Sequence, residues 1–469
     1  MDAVFLNPPF LPKFSRYSRS PCITRGGTLY YPIMECIAAT YAESKGFRTK
    51  VIDSIAGNIS KADTLEMIKE LKPKLVNVAT STPSIYVDIE MVNKIKVALP
   101  GTIVALVGRH ASWAAEETLK KSKADCVLIN EYYIQAVQIL QGVHFDKIKG
   151  IAYKKGGKIK INREGKLLDP NDIPLISPII KRDLKVENYF YASLKNPYIM
   201  LQHSWGCAFN CDFCNEMYKS SYRHRRPEIT VEELKYIEKE LPQVQEVLFD
   251  DPTFVINEAH TKALCKLLIK EKIKLTWSCN LRSNVSLETL KLLRRAGCRL
   301  AHIGVESLTQ EGKNSIHKGM TLDNEVNFLN NAKRAEVLIH GCFIIGLPGD
   351  TKEDIELTIE RAKKLPMDSV QVFPLIPTPN TVTWKWAKEN GYLATTDYSK
   401  WLKPDGSYNS VISQPQLTNI DVEEMVEKFY KEWYFRPTFI LYKFKQSIKN
   451  WQEFKRNIIS FKNMISRYR

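Results

Sequence analysis

Cys207, Cys211 and Cys214 lie in the run CAFNCDFC, a C-x3-C-x2-C spacing. Thiolates are the natural ligands of iron–sulfur clusters, and four is the usual complement for a four-iron cluster. Three in one short loop leave one iron of such a cluster open to a chelating ligand. Zinc is the competing reading, but a structural zinc site closes its tetrahedron with four ligands, typically two cysteine or histidine pairs. No second pair follows, and His203 and His224, which flank the run, are off that pattern. The other seven of the ten cysteines (Cys22, Cys36, Cys126, Cys265, Cys279, Cys298, Cys342) are scattered and read as small buried hydrophobes. Closely spaced cysteines without a disulfide framework point to metal or catalysis in a reducing compartment.

A loop of this kind needs a strand to deliver it and a scaffold to face it. Apolar runs at 198–202, 247–249, 275–278, 300–304, 339–345 and 369–373 read as strands. Helical patterns at 231–240, 259–269, 287–296, 323–335 and 352–364 separate them, the last opening on Thr351 and Asp354 in near capping-box spacing. Six such units are too few for a closed eight-stranded barrel, so a partial barrel is expected. An earlier alternation has strands at 3–6, 49–52, 74–79, 103–107 and 125–129, with helical patterns between them. Five strands in that rhythm predict a doubly wound, flavodoxin-like sheet. Its candidate loops are those after the strands, among them Thr80-Ser81-Thr82-Pro83 and Gly108-Arg109-His110. The expected layout is α/β throughout: a Rossmann-like domain at 1–141, a linker with a Gly-Gly hairpin at 142–197, a partial (β/α)6 barrel at 198–380 and a helical C-terminal region at 381–469.

The chain has 469 residues, 44% hydrophobic and 26% charged, and a net charge of +16. It holds no apolar run of membrane-spanning length, and MDAVFLNPPFLPKF lacks the basic start of a signal peptide, so a cytoplasmic location is expected. Residues 431–469 carry ten Lys or Arg against two Asp or Glu, interleaved with Trp433, Tyr434, Phe435, Phe439, Tyr442, Phe444, Trp451, Phe454, Phe461 and Tyr468. A basic aromatic tail can pack on the barrel, lie on an anionic membrane or stack on nucleic acid.

With these features together, the chain resembles the radical SAM superfamily. Asn7-Pro8-Pro9-Phe10, Gly26-Gly27, Tyr31-Pro32 and Val51-Ile52-Asp53 look like the start of its cobalamin-binding branch. Tyr222-Arg223, Arg226-Pro227-Glu228, Asp250-Asp251, Trp277-Ser278-Cys279-Asn280, Val305-Glu306-Ser307, Lys318-Gly319 and Gly346-Leu347-Pro348-Gly349 are similar to hopanoid cyclitol-forming enzymes. Magnesium-protoporphyrin monomethyl ester cyclases are a more distant likeness, with Phe429-Tyr430 and Tyr434-Phe435-Arg436-Pro437 also occurring in that group. The resemblance implies a [4Fe–4S] cluster on Cys207, Cys211 and Cys214 that cleaves S-adenosylmethionine to a 5′-deoxyadenosyl radical. It further implies adenine contact at Phe213, binding of the methionine amino group at Asp250 and Asp251, and ribose contact at Glu306. Arg282, just past the third strand, suits the methionine carboxylate by charge and fork geometry. Structural readings compete at each: a turn pair, a surface arginine, a salt-bridged rim carboxylate.

Cobalamin is expected in the first domain, touching Thr80, Ser81, Gly108, Arg109 and His110. The D-x-H-x-x-G signature that gives a histidine to cobalt is missing, and Asn130-Glu131 replaces the branch's Gly-Glu. The implied substrate is a large apolar, lipid-like molecule undergoing ring formation or rearrangement, with cobalamin-dependent C-methylation as the alternative. A low-potential flavodoxin or ferredoxin would supply the electron, and the tail would sit near the inner membrane surface. RNA modification and a non-catalytic cobalamin or redox sensor rank below these readings.

Overall fold

Runs such as Ala-Val-Phe-Leu-Asn and Ile-Val-Ala-Leu-Val, rich in β-branched residues and apolar on both faces, form buried parallel strands. The structure, a computed structural model, describes residues 1–216, 221–449, 454, 456–458 and 462. Trp451, Phe461 and Tyr468 of the expected tail lie outside them. The chain separates into two units: Met1–Thr24, Leu29–Tyr189 and Tyr398–Gly406 in the first, Arg25–Thr28, Phe190–Asp397 and Ser407–Arg469 in the second.

The first unit is a seven-stranded sheet of β1 (Ala3–Asn7), β2 (Thr49–Asp53), β3 (Leu75–Ala79), β4 (Ile103–Val107), β5 (Cys126–Leu128), β6 (Ile151–Lys155) and β7 (Lys158–Ile161), in the order β2-β1-β3-β4-β5-β6-β7. The first five are parallel and doubly wound, as expected. Val4, Leu6, Val76, Val78, Val104 and Leu106 bury one face against Ile68, Met91, Ile95 and Leu119 of the covering helices. The predicted hairpin turns at Gly156 and Gly157, both at positive φ. It belongs to this sheet rather than to a linker, because β6 pairs antiparallel with β5. Tyr398–Gly406, assigned from sequence to the C-terminal region, also belongs to this unit.

The second unit holds a curled, six-stranded parallel sheet. Its strands are β8 (Tyr198–Leu201), β11 (Glu246–Phe249), β12 (Thr276–Leu281), β13 (Cys298–Glu306), β14 (Leu338–Ile345) and β15 (Ser369–Pro374), each laid beside the one before. Between β8 and β11, β9 (Ser204–Trp205) and β10 (Arg223–His224) form a short antiparallel pair. Asn257, Ser286, Thr321 and Thr351 cap the helices that return the chain, Thr351 in a complete capping box with Asp354.

Helix Asn419–Tyr434 finishes the β15 side of the sheet. Phe429 packs on Phe343, ring centroids 4.8 Å apart. The Tyr430 hydroxyl accepts from Val372 N at 2.9 Å and donates to Val372 O at 3.2 Å; Tyr434 does the same for Val370 at 3.0 and 2.6 Å. The match is geometric: residues two apart on a strand and four apart on a helix both advance about 6–7 Å.

Candidate active site

β9 and β10 flank the segment after the carboxyl end of β8, and its described residues 206–216 hold the three cysteines in irregular structure. Cys207 and Cys211 are buried and Cys214 half-buried. Donors approach the sulfurs. Arg282 Nη1 donates to Cys211 Sγ at 3.4 Å, Glu216 N to Cys214 Sγ at 3.4 Å, and Thr253 Oγ1 lies 4.0 Å from Cys207 Sγ. Hydrogen bonds to sulfur suit thiolates and tune clusters held by them. Arg282 Nε is buried without a hydrogen-bond partner, an orphan donor beside Cys211. An acceptor-bearing ligand at this loop would satisfy it. Among the described residues no three His, Cys, Asp or Glu side chains converge as on a single metal ion. A four-iron cluster asks for no such convergence, because each thiolate takes its own iron.

The two aspartates after β11 diverge. Asp251 is fully buried and turns back on the chain before the cysteines: Oδ1 accepts from His203 N at 2.8 Å and Oδ2 from Ser204 Oγ at 2.6 Å. Burial pushes its carboxyl up to about 7, against the pull of those donors. Asp250 is half-buried and accepts from Asn280 Nδ2 of β12 at 3.3 Å. Of the pair, Asp250 is the one presented at the strand ends.

Glu306 ends β13 with φ 63°, where the register against β14 slips between Gly304 and Glu306. The bulge re-aims its carboxylate, which folds back so closely that a Cβ on Gly304 would strike it. Lys318 Nζ pairs with Glu306 Oε1 at 3.1 Å and donates to Gly304 O, while Lys318 O accepts from Arg282 Nη2. The preceding residues of the same segment reach the cysteine loop: Asp212 N donates to Ile316 O at 3.1 Å, and Asp212 Oδ2 lies 2.6 Å from His317 Nδ1. Phe213 joins the cluster of Ile316 and Leu347. Residues 316–318 thus clasp the cysteine loop, Arg282 and Glu306 together.

In the first unit the two expected loops meet. Thr80 Oγ1 donates to Val107 O at 2.7 Å and accepts from Ala111 N at 3.3 Å. Gly108 has φ 104°, and a Cβ there would strike Thr80 O, so the approach requires glycine. Ser81 Oγ lies 2.6 Å from Ser84 Oγ, beside the buried Arg16–Asp88 ion pair at 2.8 Å. His110 Nδ1 lies 3.2 Å from Thr82 Oγ1, and its ring meets Tyr398 edge-on at 4.9 Å. Burial pushes the imidazole down to about 4, leaving it neutral. Thr80, Ser81 and His110 are therefore turned inward, and Gly108 and Arg109 are the half-exposed members. On the other face of β3, both polar atoms of the Asn77 amide are buried without partners. On the same side of the sheet, Tyr132 OH donates to Glu35 Oε1 at 3.2 Å, and burial pushes the Glu35 carboxyl up to about 7. Unpartnered buried amide groups cost about 1–3 kcal/mol each, so this interior fits a ligand bearing donors and acceptors.

Residues 201–362, from the last residue of β8 into helix Lys352–Lys364, match the radical SAM superfamily. That segment is a radical SAM domain. The chain is 27% identical to an uncharacterized methyltransferase of Pyrococcus horikoshii, over 84% of this chain and 85% of that one. It is 25% identical to the anaerobic magnesium-protoporphyrin IX monomethyl ester cyclase of Cereibacter sphaeroides, over 83% of this chain and 64% of that one. Among solved structures, the radical S-adenosylmethionine methyltransferase TsrM of Kitasatospora setae, with cobalamin and a [4Fe–4S] cluster bound, shares the fold at TM-score 0.69 and 14% identity, covering 93% of this chain and 90% of that one.

Within this radical SAM site, sequence reasoning missed Lys318, Asn280, Thr253 and the Asp212–His317 contact. Lys318, in Lys318-Gly319, and Asn280, in Trp277-Ser278-Cys279-Asn280, left a trace as parts of a resemblance without a role. The arrangement presents a carboxylate (Asp250), a guanidinium with an unpartnered Nε (Arg282) and a second carboxylate (Glu306) at three successive strand ends. Such a set can grip a zwitterion that also carries hydroxyl groups.

Proposed function

We propose that this chain is a cobalamin-dependent radical SAM enzyme that transfers a methyl group to carbon on a large apolar substrate. Cys207, Cys211 and Cys214 would hold the [4Fe–4S] cluster, and the loops of Thr80, Ser81, Gly108, Arg109 and His110 would hold cobalamin, with the unpartnered Asn77 amide available to it. When bound, these groups supply the electron that splits S-adenosylmethionine and the cobalt chemistry of methyl transfer. Asp250 binds the methionine ammonium as a charge-assisted acceptor, and Arg282 faces the carboxylate. Glu306 accepts from the ribose hydroxyls, and Lys318 fixes it for that contact. Phe213 offers its backbone to the adenine. Asp251 positions the cysteine loop through His203 and Ser204 and touches no ligand.

The observation that carries this reading is the cysteine loop, flanked by β9 and β10, with the Arg282 guanidinium donating to Cys211 Sγ at 3.4 Å. Methyl transfer is favoured because the Pyrococcus relative, similar over most of both chains, is named a methyltransferase. Ring formation or rearrangement, ranked first on sequence grounds, is the second reading, supported by the likeness to the protoporphyrin ester cyclase. A low-potential flavodoxin or ferredoxin fits as electron donor under either.

Anaerobic reconstitution with iron, sulfide and cobalamin tests the proposal. The wild type should gain cluster absorbance and cleave S-adenosylmethionine, and Cys211→Ala should lose both. Methyl-labelled S-adenosylmethionine, supplied with a lipid extract of a strain lacking this chain, should yield a product carrying the label. A rearranged product without label would install the second reading instead. A Cys211→Ala protein that loads iron and cleaves as the wild type does would sink both.

A further inference from the structure

Among the described residues, helix Pro437–Lys449 is anchored through Phe439, Tyr442 and Ser447. Phe439 packs on Tyr434 and Trp433, ring centroids 5.2 and 6.3 Å apart, and Arg436 Nη1 donates to Lys363 O at 2.8 Å. Another side carries apolar residues that stand exposed: Ile440 is 51% exposed, Leu441 54%, Phe444 59% and Ile448 69%. Ile440, Phe444 and Ile448 recur every fourth residue and Leu441 lies beside them, so together they span roughly 100° of the helix. Thirteen large hydrophobic residues are exposed among the described residues, and five of them, counting Tyr442, are on this helix. Elsewhere they stand singly, which needs no explanation; a contiguous stripe does.

We propose that this stripe seats the enzyme on an anionic lipid surface. Its borders are cationic, with Lys443 on one side and Lys445 on the other. Residues 431–469 carry ten Lys or Arg against two Asp or Glu. An apolar stripe flanked by lysines matches the boundary between acyl chains and acidic headgroups, where such a helix lies in the plane. Among the described residues no helix is long and apolar enough to cross a membrane, so the contact is peripheral. A second copy fits worse: two-fold pairing of one face with itself would crowd like charges at the rim. Nucleic acid would meet the lysines but offers no acyl interior for Ile440 and Ile448. The inference stands independently of the reaction proposed above.

The test is co-sedimentation of the full chain with vesicles of phosphatidylcholine alone, or of phosphatidylcholine mixed with phosphatidylglycerol. Binding should require phosphatidylglycerol and weaken as salt rises. Ile440→Ser with Phe444→Ser keeps every charge, and it should weaken binding about tenfold without moving the thermal midpoint. Lys445→Gln, which leaves the stripe intact, should weaken it by a smaller factor and flatten the salt dependence. The idea is overturned if the wild type stays in solution with both vesicles, if the serine pair binds as tightly as the wild type, or if that pair instead dissolves a dimer.

Discussion

Lys318 illustrates what a single buried charge can hold. Its ammonium is 3% exposed and faces a carboxylate 10% exposed at 3.1 Å, while its own carbonyl receives Arg282. Removing one partner of a buried pair leaves the other charge uncompensated, typically at about 3–5 kcal/mol. Lys318→Met should therefore lower stability by about 3 kcal/mol in a chemical-denaturation experiment, and weaken S-adenosylmethionine binding because Glu306 loses its anchor. Stability loss with unchanged binding would reduce Lys318 to a structural residue. The cysteines were legible in sequence because their spacing is local. Lys318 was not, because its contact depends on the bulge between Gly304 and Glu306 and on β12 lying beside β13. Asp251 could not be told from its neighbour for a similar reason: adjacent residues leave a strand end in opposite directions, and only the fold shows Asp251 turned onto His203 and Ser204.

At the scale of elements, the link between β8 and β9 is pinned to helix Glu258–Lys270 by two imidazoles. His203 Nε2 and His260 Nε2 are 2.9 Å apart, and His203 Nδ1 lies 2.7 Å from Thr230 Oγ1. One ring must donate and the other accept, which charging both would forbid. Burial holds His203 well below its usual value, helped by the neighbouring His260, and burial holds His260 at about 4, helped by His224. Both groups bind fewer protons folded than unfolded, so their support is complete above the unfolded value near 6.5 and is lost as pH falls toward 4. Asp251 acts with the opposite sign: its raised value favours the protonated fold, an advantage lost as pH rises from about 4 to about 7. The two trends offset each other in one window. Asp251→Asn should remove the compensation, so denaturation midpoints for that variant should fall more steeply than the wild type's between pH 6.5 and 4; parallel curves would refute this account. Strand positions were readable throughout, since every expected parallel strand is present. Their ends were less so: β13 runs from Cys298 to Glu306 rather than 300–304, because Val305 and Glu306 continue the strand through the bulge.

At the scale of the whole molecule, neither unit is a continuous piece of chain, since residues 25–28 belong to the second and Tyr398–Gly406 to the first. Sequence periodicity could not reveal this, because the returning segment is a short 3-10 turn bearing buried Tyr398 and Trp401, with no strand or helix pattern of its own. A fragment ending at Tyr189 would lose the ring that covers His110. It should be less soluble than the full chain, and adding residues 398–406 through a flexible linker should restore a cooperative melt. Equal melts with and without the added segment would show the segment to be dispensable. The half-barrel itself leaves a sheet unclosed, and such an edge normally invites a strand from another molecule. At β15 the invitation is withdrawn by two phenols, which engage both peptide groups of Val370 and of Val372. Helix Asn419–Tyr434 thereby stands in for an absent seventh strand, supplying hydroxyls where a neighbour would supply amides. A half-barrel can thus stay unclosed at β15 without offering that edge as a template for polymerisation.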